Sequence, residues 1–374
     1  MAEVVSLQPP ETRQTPEAPK PLRIDRLRAA NFRNLVQMAL EPGPAFNVIH
    51  GDNGAGKSSV LEAAHYLASL RSFRGAKAAD LITLGEGQGL IEARISGGPA
   101  PRTYRAVLDR SRARKLTLDG KRPRSIGSWH ASVQMVLFHP GHLTLASGGA
   151  DARRVFLDRV LEQMDPTYGS TLASYQKALR SRNRLLKMDN ADPRAIKAFD
   201  ELLASAGAIV GQTRARLVAD IAPLTEAAFR DVVGEEIPLE VRYRPRVEPT
   251  VEGIRRALDR AFRKDLARGF TADGPHGDDL ALEFAARAPA RYHASQGQHR
   301  AIVLGLKVAE LEVLSRRTGS VPILLLDDVS SELDRTRNRR FFALLARLGG
   351  QVFLTTTHPE FILLEEDRVD FAVI

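Results

Sequence analysis

Short apolar runs with strand periodicity dominate the first part of the chain. Residues 46–50 form an apolar run bounded by turn residues, and residues 91–95 and 104–108 alternate between apolar and polar positions. An alternation of period two is typical of strands with one buried face. The dipeptide Asp119-Gly120 is typical of a tight hairpin turn. We therefore predict an antiparallel sheet beside a first strand–helix unit.

The middle of the chain changes to a helical pattern at about residue 151. Phe156, Val160 and Met164 lie four residues apart, and similar faces begin at Leu172 and Ile196. Heptads are not sustained, so this region is predicted to be a compact helical lobe rather than a long coiled coil. Residues 237–243 then alternate like a strand.

Strands and helices alternate again after about residue 275. Residues 280–284 alternate, a helical face follows Gly297, and residues 323–326 form an apolar run typical of a buried strand. Residues 352–354 form a last apolar run. The pattern as a whole predicts an α/β fold, with a mixed sheet, an antiparallel N-terminal sheet and an inserted, mainly helical arm.

Composition narrows the class of protein. The 374 residues contain no cysteine, which excludes disulfides, thiolate catalysis and cysteine-ligated zinc and fits a cytoplasmic protein. No apolar run approaches the roughly 18 residues that a membrane span needs, so no membrane partner is expected. Residues 1–21 are rich in proline and poor in apolar residues, which predicts a disordered tail. A formal charge of +9 favours polyanionic partners.

A glycine-rich segment carries the strongest chemical signal. Residues 51–58 fit the phosphate-binding pattern G-x-x-x-x-G-K-S/T, with an apolar strand before the segment and a helical face after it. Backbone N–H groups of such a loop surround phosphates, while Lys57 would meet the β- and γ-phosphates and Ser58 would ligate Mg²⁺. The predicted nucleotide-binding residues are Gly51, Asp52, Asn53, Gly54, Ala55, Gly56, Lys57, Ser58 and Ser59.

Two carboxylates follow the buried strand at residues 323–326. Asp327 and Asp328 end this run as a Walker B pattern, in which a carboxylate at the strand end comes close to the metal beside the phosphate loop. We predict that Asp327 holds Mg²⁺ and that Asp328 orients or deprotonates the attacking water. An ordinary surface turn is the alternative for two such carboxylates.

Three further segments fall in the order expected of an ABC-type ATPase. Residues Ser295, Gln296, Gly297 and Gln298 open a helix and are similar to the ABC signature, which acts on nucleotide held by the opposite subunit. A plain helix cap is the alternative. Ser331, Glu332, Leu333 and Asp334 stand where such proteins carry the D-loop. His358, after the last strand, stands where a histidine senses the γ-phosphate, although a structural role is equally compatible.

With these motifs in order, the chain resembles the RecF family over nearly everything after residue 21. The long interval between Ser58 and Ser295 exceeds that of transporter ATPases and falls short of the heptad insertions of SMC and Rad50 proteins. Gly277 and His142 depart from the family pattern, which usually has arginine and an acidic residue there. The segments that carry the resemblance are Phe32-Arg33-Asn34, Ser72-Phe73-Arg74, Phe138-His139-Pro140, Arg153 through Asp158, Arg182-Asn183 and Gly274-Pro275-His276 with Asp278-Asp279-Leu280.

The resemblance implies a function and a domain organisation. RecF proteins bind ATP and Mg²⁺, form ATP-dependent homodimers, hydrolyse ATP slowly and bind double-stranded or gapped DNA. With RecO and RecR they help to load RecA in recombinational repair, replication restart and the SOS response. The expected divisions are the tail (1–21), the two parts of an ATPase head (22–140 and 274–374) and the inserted arm (141–273).

Two basic clusters are candidates for contact with DNA. The preferred cluster lies on the second predicted helix, and a second cluster of arginines and lysines surrounds the hairpin at residues 110–124. Either could neutralise phosphates without reading sequence, or could be a solvated charged face. Neither has interleaved aromatic residues, which favours duplex DNA over single strands. The preferred residues are Lys177, Arg180, Arg182, Arg184 and Lys187.

Two other functions remain open at this point. A transporter ATPase subunit would have a membrane partner and no affinity for DNA. A structural head of the SMC or Rad50 type would form stable dimers without turnover. A nuclease-coupled ATPase would need a further metal-carboxylate domain, for which the chain has no room.

Overall fold

The computed structural model describes residues 20–190, 192–234, 237–328, 335–362 and 368–373. The strands within these ranges are β1 (Lys20–Pro21), β2 (Arg23–Phe32), β3 (Leu35–Leu40), β4 (Phe46–His50), β5 (Gln88–Ser96), β6 (Arg102–Asp109), β7 (Lys115–Leu118), β8 (Met135–Phe138), β9 (Glu240–Arg244), β10 (Asp279–Phe284), β11 (Ala288–Pro289), β12 (Ser320–Val321), β13 (Ile323–Asp327), β14 (Val352–Thr356) and β15 (Arg368–Ala372). The helices there are α1 (Lys57–Ser69), α2 (Ile126–His130), α3 (Thr144–Ser147), α4 (Ala150–Met164), α5 (Tyr168–Leu186), α6 (Pro193–Lys197), α7 (Asp200–Val233), α8 (Val251–Arg268), α9 (Ala290–His293), α10 (Gln296–Thr318) and α11 (Arg335–Leu348).

A parallel sheet brings the two ends of the chain together. Its strand order is β15-β4-β14-β13-β8, and every neighbouring pair is parallel. Strand β13 is buried on both faces, as parallel strands covered by helices usually are. Ile323 and Leu325 pack toward α1, whereas Leu324 and Leu326 pack toward α10 and α7. The α/β fold predicted from the sequence is therefore confirmed.

An antiparallel sheet covers the other side of α1. Its order is β3-β2-β5-β6-β7, and its apolar face shares a hydrophobic core with α1 and one face of the parallel sheet. Asp119 and Gly120 have φ angles of 51° and 75°, so both occupy the left-handed region that a tight hairpin turn requires. This turn closes a bridge between Leu118 and Lys121. The predicted antiparallel sheet and turn are confirmed.

The helical region does not form a self-contained insertion. Helix α7 is 34 residues long, and its C-terminal half, with Leu217, Val218 and Ile221, joins the core that α10 and the parallel sheet share. Its N-terminal part packs with α5 and α8 in a smaller cluster around Tyr175 and Ile254. Strand β9 pairs with β10, across the division that the sequence suggested at residue 273. The assignment of residues 141–273 to an arm therefore stays our proposal.

The last two residues of the predicted tail form a short strand. Lys20 and Pro21, which we placed in it, pair in parallel with Ser320 and Val321. The backbone N–H of Leu22 also donates to the Val321 carbonyl at 2.9 Å. Residues 1–19 lie outside the described residues. Of the helices in the described ranges, none combines the length and the apolar character that a bilayer span requires.

Candidate nucleotide-binding site

The glycine-rich loop lies between the end of β4 and the start of α1. Gly51 and Gly56 have φ angles of 146° and 122°, which side chains rarely permit. A Cβ atom at Gly51 would lie 2.2 Å from the Val373 carbonyl oxygen, and one at Gly56 would lie 2.9 Å from Asn34 Nδ2. Both glycines are therefore required by backbone conformation and by close packing. Helix α1 starts at Lys57, so its free N–H groups face the loop.

Lys57 already bends back over this loop. Its Nζ donates to the carbonyl oxygens of Gly51 and Asp52, each at 2.8 Å. The ammonium group is thereby held above the concave side of the loop, where a phosphate would meet both this charge and the helix N-terminus. The geometry suits the phosphate role that the sequence predicted for Lys57.

Residues of the N-terminal sheet hold the loop in place, and we had given them no role. Asn34 Nδ2 donates to the carbonyl oxygens of Gly54 and Ala55 at 3.1 and 3.0 Å, and its Oδ1 accepts from Ser59 Oγ at 2.8 Å. The segment Phe32-Arg33-Asn34 was noted as a family element, so its motif was the available signal. Asn34 clamps the loop from outside the glycine-rich segment.

A buried carboxylate anchors the same corner. Glu62, on α1, is fully buried and accepts two hydrogen bonds from the Arg33 guanidinium, at 2.8 and 3.1 Å. Ser72 Oγ donates to Glu62 at 2.5 Å. A buried charge needs such partners, because an unpaired carboxylate would be strongly destabilising. The arginine and serine of two family segments thus serve to fix α1 against the sheet.

The two carboxylates after β13 lie in different surroundings. Asp327 is 7% exposed, and its Oδ1 accepts from Thr355 Oγ1 at 2.9 Å. Asp328 is exposed and has a φ angle of 53°, and its backbone N–H donates to the same Thr355 hydroxyl at 3.0 Å. The chain turns sharply here, so one carboxylate is fixed in the sheet and the other projects toward solvent. That difference fits the separate roles predicted for them.

The oxygen donors of the site suit Mg²⁺ that binds together with a nucleotide better than a metal ion coordinated entirely by protein side chains. Ser58 and Asp327 offer hard oxygen donors, and Mg²⁺ commonly binds through one or two such groups, waters and substrate phosphates. Among the described residues no group of three or more His, Asp or Glu side chains could hold a metal ion. Ser58 and Asp327 therefore fit a metal that arrives with a nucleotide.

These elements border an open cleft of about 810 Å³. Its volume falls within the range of ligand-binding clefts. Arg110 donates to the carbonyl oxygens of Ile82, Thr83 and Glu86, at 3.0, 3.2 and 2.7 Å, and so fixes one wall. The lining combines the loop with three arginines and the ends of β13 and β14. Its residues include Arg33, Asn34, Asn53, Gly54, Gly56, Lys57, Ser58, Ser59, Arg74, Arg110, Asp328, Thr355, Thr356 and Thr357.

His358 lies next to this lining rather than in it. Its side chain is 61% exposed, and Nδ1 lies 3.1 Å from the Glu360 carboxylate. Thr357, the preceding residue, does line the cleft. The predicted role of His358 in sensing the γ-phosphate therefore stays a prediction.

The signature-like segment caps α10, away from the cleft of its own subunit. Ser295 Oγ accepts from the Gln298 N–H at 3.2 Å, and Gln298 Oε1 accepts from the Ser295 N–H at 2.7 Å, which is a capping box. A Cβ atom at Gly297 would lie 2.2 Å from Arg337 Nη1, so Arg337 of α11 packs against this turn. Ser295 and Gln298 therefore cap α10, and the role of this segment toward the nucleotide of another subunit stays a prediction. The D-loop residues Ser331, Glu332, Leu333 and Asp334 lie outside the described residues.

Arg182 cannot contact DNA, and our prediction for this residue was wrong. Its side chain is fully buried, and it donates to Asp200 Oδ1 at 2.9 Å, to Asp265 Oδ2 at 2.7 Å and to Thr271 Oγ1 at 2.8 Å. A helical repeat of basic residues does not reveal which one faces inward. Arg182 joins α5 to α7 and α8, which explains the Arg182-Asn183 element structurally.

The other four basic residues of the preferred cluster remain available to a polyanion. Lys177, Arg180, Arg184 and Lys187 are all exposed. A Cβ atom at Gly269 would lie 3.2 Å from Lys187 Cγ, so the C-terminal end of α8 lies beside that of α5. Helix α8 adds a row of exposed cations that we had overlooked, although their helical spacing was a usable signal. They are Arg260, Arg263, Lys264 and Arg268.

The remaining family segments form a polar network between the helices and β10. Arg153 makes two hydrogen bonds to Asp279, at 2.7 and 2.9 Å, and Arg214 makes two to Asp158, at 2.8 and 2.9 Å. Gly277, the departure from the family pattern, lies against Arg246, because a Cβ atom there would be 2.9 Å from Arg246 Cγ. Arg153 and Asp158 of these segments therefore join α4 to β10 and to α7.

Comparisons with known proteins agree with this architecture. A family model described as the RecF/RecN/SMC N terminal domain matches residues 23–370. The DNA replication and repair protein RecF of Myxococcus xanthus (strain DK1622) is 38% identical over 350 residues, covering 90% of this chain and 91% of that protein. RecF of Anaeromyxobacter sp. (strain Fw109-5) is 40% identical, covering 91% and 94%.

Solved structures give the same result. A structure of the recombination mediator protein RecF-ATPrS in the RecFOR pathway superposes with a TM-score of 0.87 at 29% identity, covering 96% of this chain and 97% of that chain. An Smc head domain from Pyrococcus furiosus shares the fold alone, with a TM-score of 0.53 at 15% identity. With sequence relatives and structures aligned over nine-tenths of its length, this chain belongs to the RecF family of ABC-type ATPases.

Proposed function

We propose that this chain is a slow, ATP-dependent DNA-binding repair protein that closes into a homodimer on ATP. The observation that carries the proposal is the cleft in which Lys57, the N-terminus of α1 and the end of β13 converge. Solved relatives described as RecF-ATP and RecF-ATPrS support the choice of nucleotide.

The residues of one subunit would divide the work on ATP. Lys57 and the N–H groups of the loop would hold the β- and γ-phosphates. Ser58 and Asp327 would hold Mg²⁺, which when bound neutralises charge on the phosphates. Asp328, which projects from the strand end, would orient the attacking water and accept its proton.

A second subunit would complete the site. The capped turn of α10 is not part of the cleft lining of its own chain, although its N-terminal N–H groups suit a phosphate. Ser295 and Gly297 of each subunit would then meet the nucleotide of the other. Two shared nucleotides would stabilise the closed dimer by their binding free energy, and hydrolysis would release it.

The exposed cations of α5 and α8 would hold the DNA backbone. A basic surface is formed by Lys177, Arg180, Arg184 and Lys187 together with the exposed cations of α8. Such a surface would contact phosphates without discriminating between base sequences. We infer that the dimer binds double-stranded or gapped DNA there and acts with RecO and RecR to load RecA at gaps. The corresponding processes are recombinational repair, replication restart and the SOS response in the cytoplasm.

The DNA surface can be tested by charge reversal at Arg180, Arg184 and Lys187 together. Each lost phosphate contact should flatten the slope of log K against log salt by about 0.9, so the slope should fall by up to roughly 2.7. Charge reversal at Arg316 and Arg317, two exposed arginines at the end of α10, is the control and should leave the slope unchanged. An unaltered affinity and slope in the α5 variant would remove this surface from the proposal.

Nucleotide dependence can be tested with Lys57→Met. Loss of its charge should weaken ATP binding by about 10- to 100-fold, because hydrogen bonds to charged groups contribute about 1.5–3 kcal/mol. Titration with a fluorescent ATP analogue would measure this, and sedimentation would show whether the dimer is lost in parallel. ATP binding without any dimer would favour a different ABC-type ATPase, and a stable dimer without turnover would favour a structural head.

A further inference from the structure

A second cavity, of about 180 Å³, lies where the helix after the phosphate loop meets α4 and α10. Its walls come from α1, the turn after β8, α4 and α10, and none of its polar side chains has a role in the proposed ATPase site. The lining is unusually rich in titratable groups. The titratable residues considered below are His65, His139, His142, Arg159, Lys307 and Glu310.

Most of the charges around this cavity are paired. Lys307 is buried on α10, and its Nζ donates to Glu310 Oε2 at 2.8 Å. Arg71 and Glu162, at the rim, form an ion pair at 3.4 Å. Both carboxylates that line the cavity therefore have a cationic partner.

Arg159 is the exception. It lies half-buried on α4 and makes no hydrogen bond or ion pair with any residue in the described ranges. Burial and the nearby Arg71 lower the pKa of the Arg159 guanidinium. Glu310 and Glu162 lie close enough to raise this pKa, but neither accepts a hydrogen bond from Arg159. Burial of a guanidinium without hydrogen-bonded partners is costly, and an anion in the cavity would reduce that cost.

The histidines add hydrogen-bond donors without adding charge. Burial lowers the pKa of His65 to about 3 and that of His139 to about 4, and the cations Arg159 and Lys307 add to both effects. The rings are therefore neutral at pH 7, and each carries one N–H. His139 Nδ1 accepts from the Gly141 N–H at 3.2 Å, which leaves the proton on Nε2.

His142 has an unused polar atom at the same place. Its ring lies 4.1 Å from that of His139, centroid to centroid, and its buried Nδ1 has no hydrogen-bond partner among the described residues. His130, the remaining histidine of the lining, is engaged with the Ala68 carbonyl at 2.7 Å. The free hydrogen-bonding capacity is thus concentrated on Arg159, His139 and His142.

We propose that this cavity binds a small tetrahedral oxyanion, of the class of orthophosphate or sulfate, between Arg159 and the rings of His139 and His142. Since one water occupies about 30 Å³ in the liquid, the space holds one such anion and a few waters and excludes a nucleotide. The bound anion would tie α4 to the turn after β8, and its charge would favour protonation of the adjacent imidazoles.

The test uses the full chain with Lys57→Met, which weakens phosphate binding at the nucleotide site, and Arg159→Gln distinguishes the cavity from what remains of that site. Thermal unfolding at pH 7 and constant ionic strength would be followed against orthophosphate, sulfate and acetate. At a tenfold excess over Kd, orthophosphate and sulfate should raise Tm by about 2 °C, and acetate should not. Arg159→Gln should abolish the rise, whereas Arg317→Gln, the same change at an exposed arginine, should keep it.

Titration of the histidines by NMR, on the chain without cavity substitutions, tests the proposal even if Arg159→Gln fails to fold. Saturating phosphate should raise the pKa of His139 or His142 by about 1 unit or more, as a nearby opposite charge does. An Arg159→Gln chain that is stabilised as much as the parent would overturn the proposal. So would unchanged histidine titration under saturating phosphate, which would leave a cavity occupied by water.

Discussion

Lys57 in the head and Arg182 in the arm are both cations that the sequence assigned to phosphate, and they lie in opposite surroundings. Lys57 reaches over an open cleft and is held by two carbonyl oxygens. Arg182 is fully buried between Asp200 and Asp265. In the head the cation is positioned to bind a ligand, whereas in the arm the cation forms ion pairs with two carboxylates of its own chain.

The difference teaches where sequence motifs are informative. A phosphate loop determines its own geometry over a few residues, because its glycines and the helix start fix the direction of Lys57. The direction of Arg182 depends on α7 and α8, which are distant in sequence. A basic residue inside a phosphate-loop motif therefore indicates a ligand-binding residue, whereas a basic residue on a helix of the arm does not.

The largest expected effect is the loss of stability when Arg182 of the arm is replaced. Arg182→Ala should lower the free energy of unfolding by about 3–5 kcal/mol, because it leaves Asp200 and Asp265 without their cation. Arg180→Ala, two residues earlier and exposed, should change it by no more than about 0.5 kcal/mol. Urea denaturation of both variants measures the contrast, and equal stabilities would refute the structural role of Arg182.

The next effect concerns the carboxylate that projects into the cleft. Asp328→Asn should lower kcat by about 100-fold or more while sparing ATP affinity, because the amide cannot accept a proton from water. Single-turnover phosphate release and nucleotide titration would separate the two quantities. Normal turnover would show that another group is the catalytic base.

Buried histidines should make the stability of the fold depend on pH. The folded-state pKa of His65 is about 3, below its usual value of 6.5, so the unfolded chain binds the proton first as pH falls. Stability should therefore decrease below pH 6.5, by about 1.4 kcal/mol at pH 5.5 for this residue alone. His65→Gln should remove that part of the pH dependence, whereas His358→Gln, at an exposed site, should not. A stability independent of pH from 7.5 to 5.5 would contradict the burial of His65.

The smallest expected effect is the loss of ATP affinity when Asn34, which contacts the phosphate loop of the head, is replaced. Asn34→Ala removes the clamp on the Gly54 and Ala55 carbonyls and should weaken ATP binding by about 1 kcal/mol, or roughly fivefold. Asn31→Ala, on β2 three residues earlier and outside the cleft lining, is the control. Identical affinities would mean that the loop keeps its shape without Asn34.

Much of the head could be predicted from the sequence, because its signals are local. The strand before Gly51, the turn at Asp119-Gly120 and the capping of α10 by Ser295 each follow from a few neighbouring residues. The carboxylates Asp327 and Asp328 were found by their position after an apolar run, and the structure brings Asp328 to the cleft.

The remainder could not be predicted, because it depends on contacts between distant segments. The segment Phe32-Arg33-Asn34 marks Asn34 as part of a family element, but it does not show that Asn34 holds a loop twenty residues later. The burial of Arg182, the pairing of β9 with β10 and the packing of α7 against α10 likewise depend on tertiary structure. A helical pattern shows which positions share a face and does not show what covers that face.

The most direct test of the central claim is the mass of the purified chain by light scattering, with and without ATP and Mg²⁺, alone and with a gapped duplex. We predict a monomer without nucleotide, a dimer with ATP, and tighter binding of the gapped duplex by the dimer. Lys57→Met should stay monomeric at the lowest ATP concentration that dimerises the parent chain. A mass unaffected by ATP would contradict the composite site, and an ATP-dependent dimer without affinity for DNA would contradict the repair function.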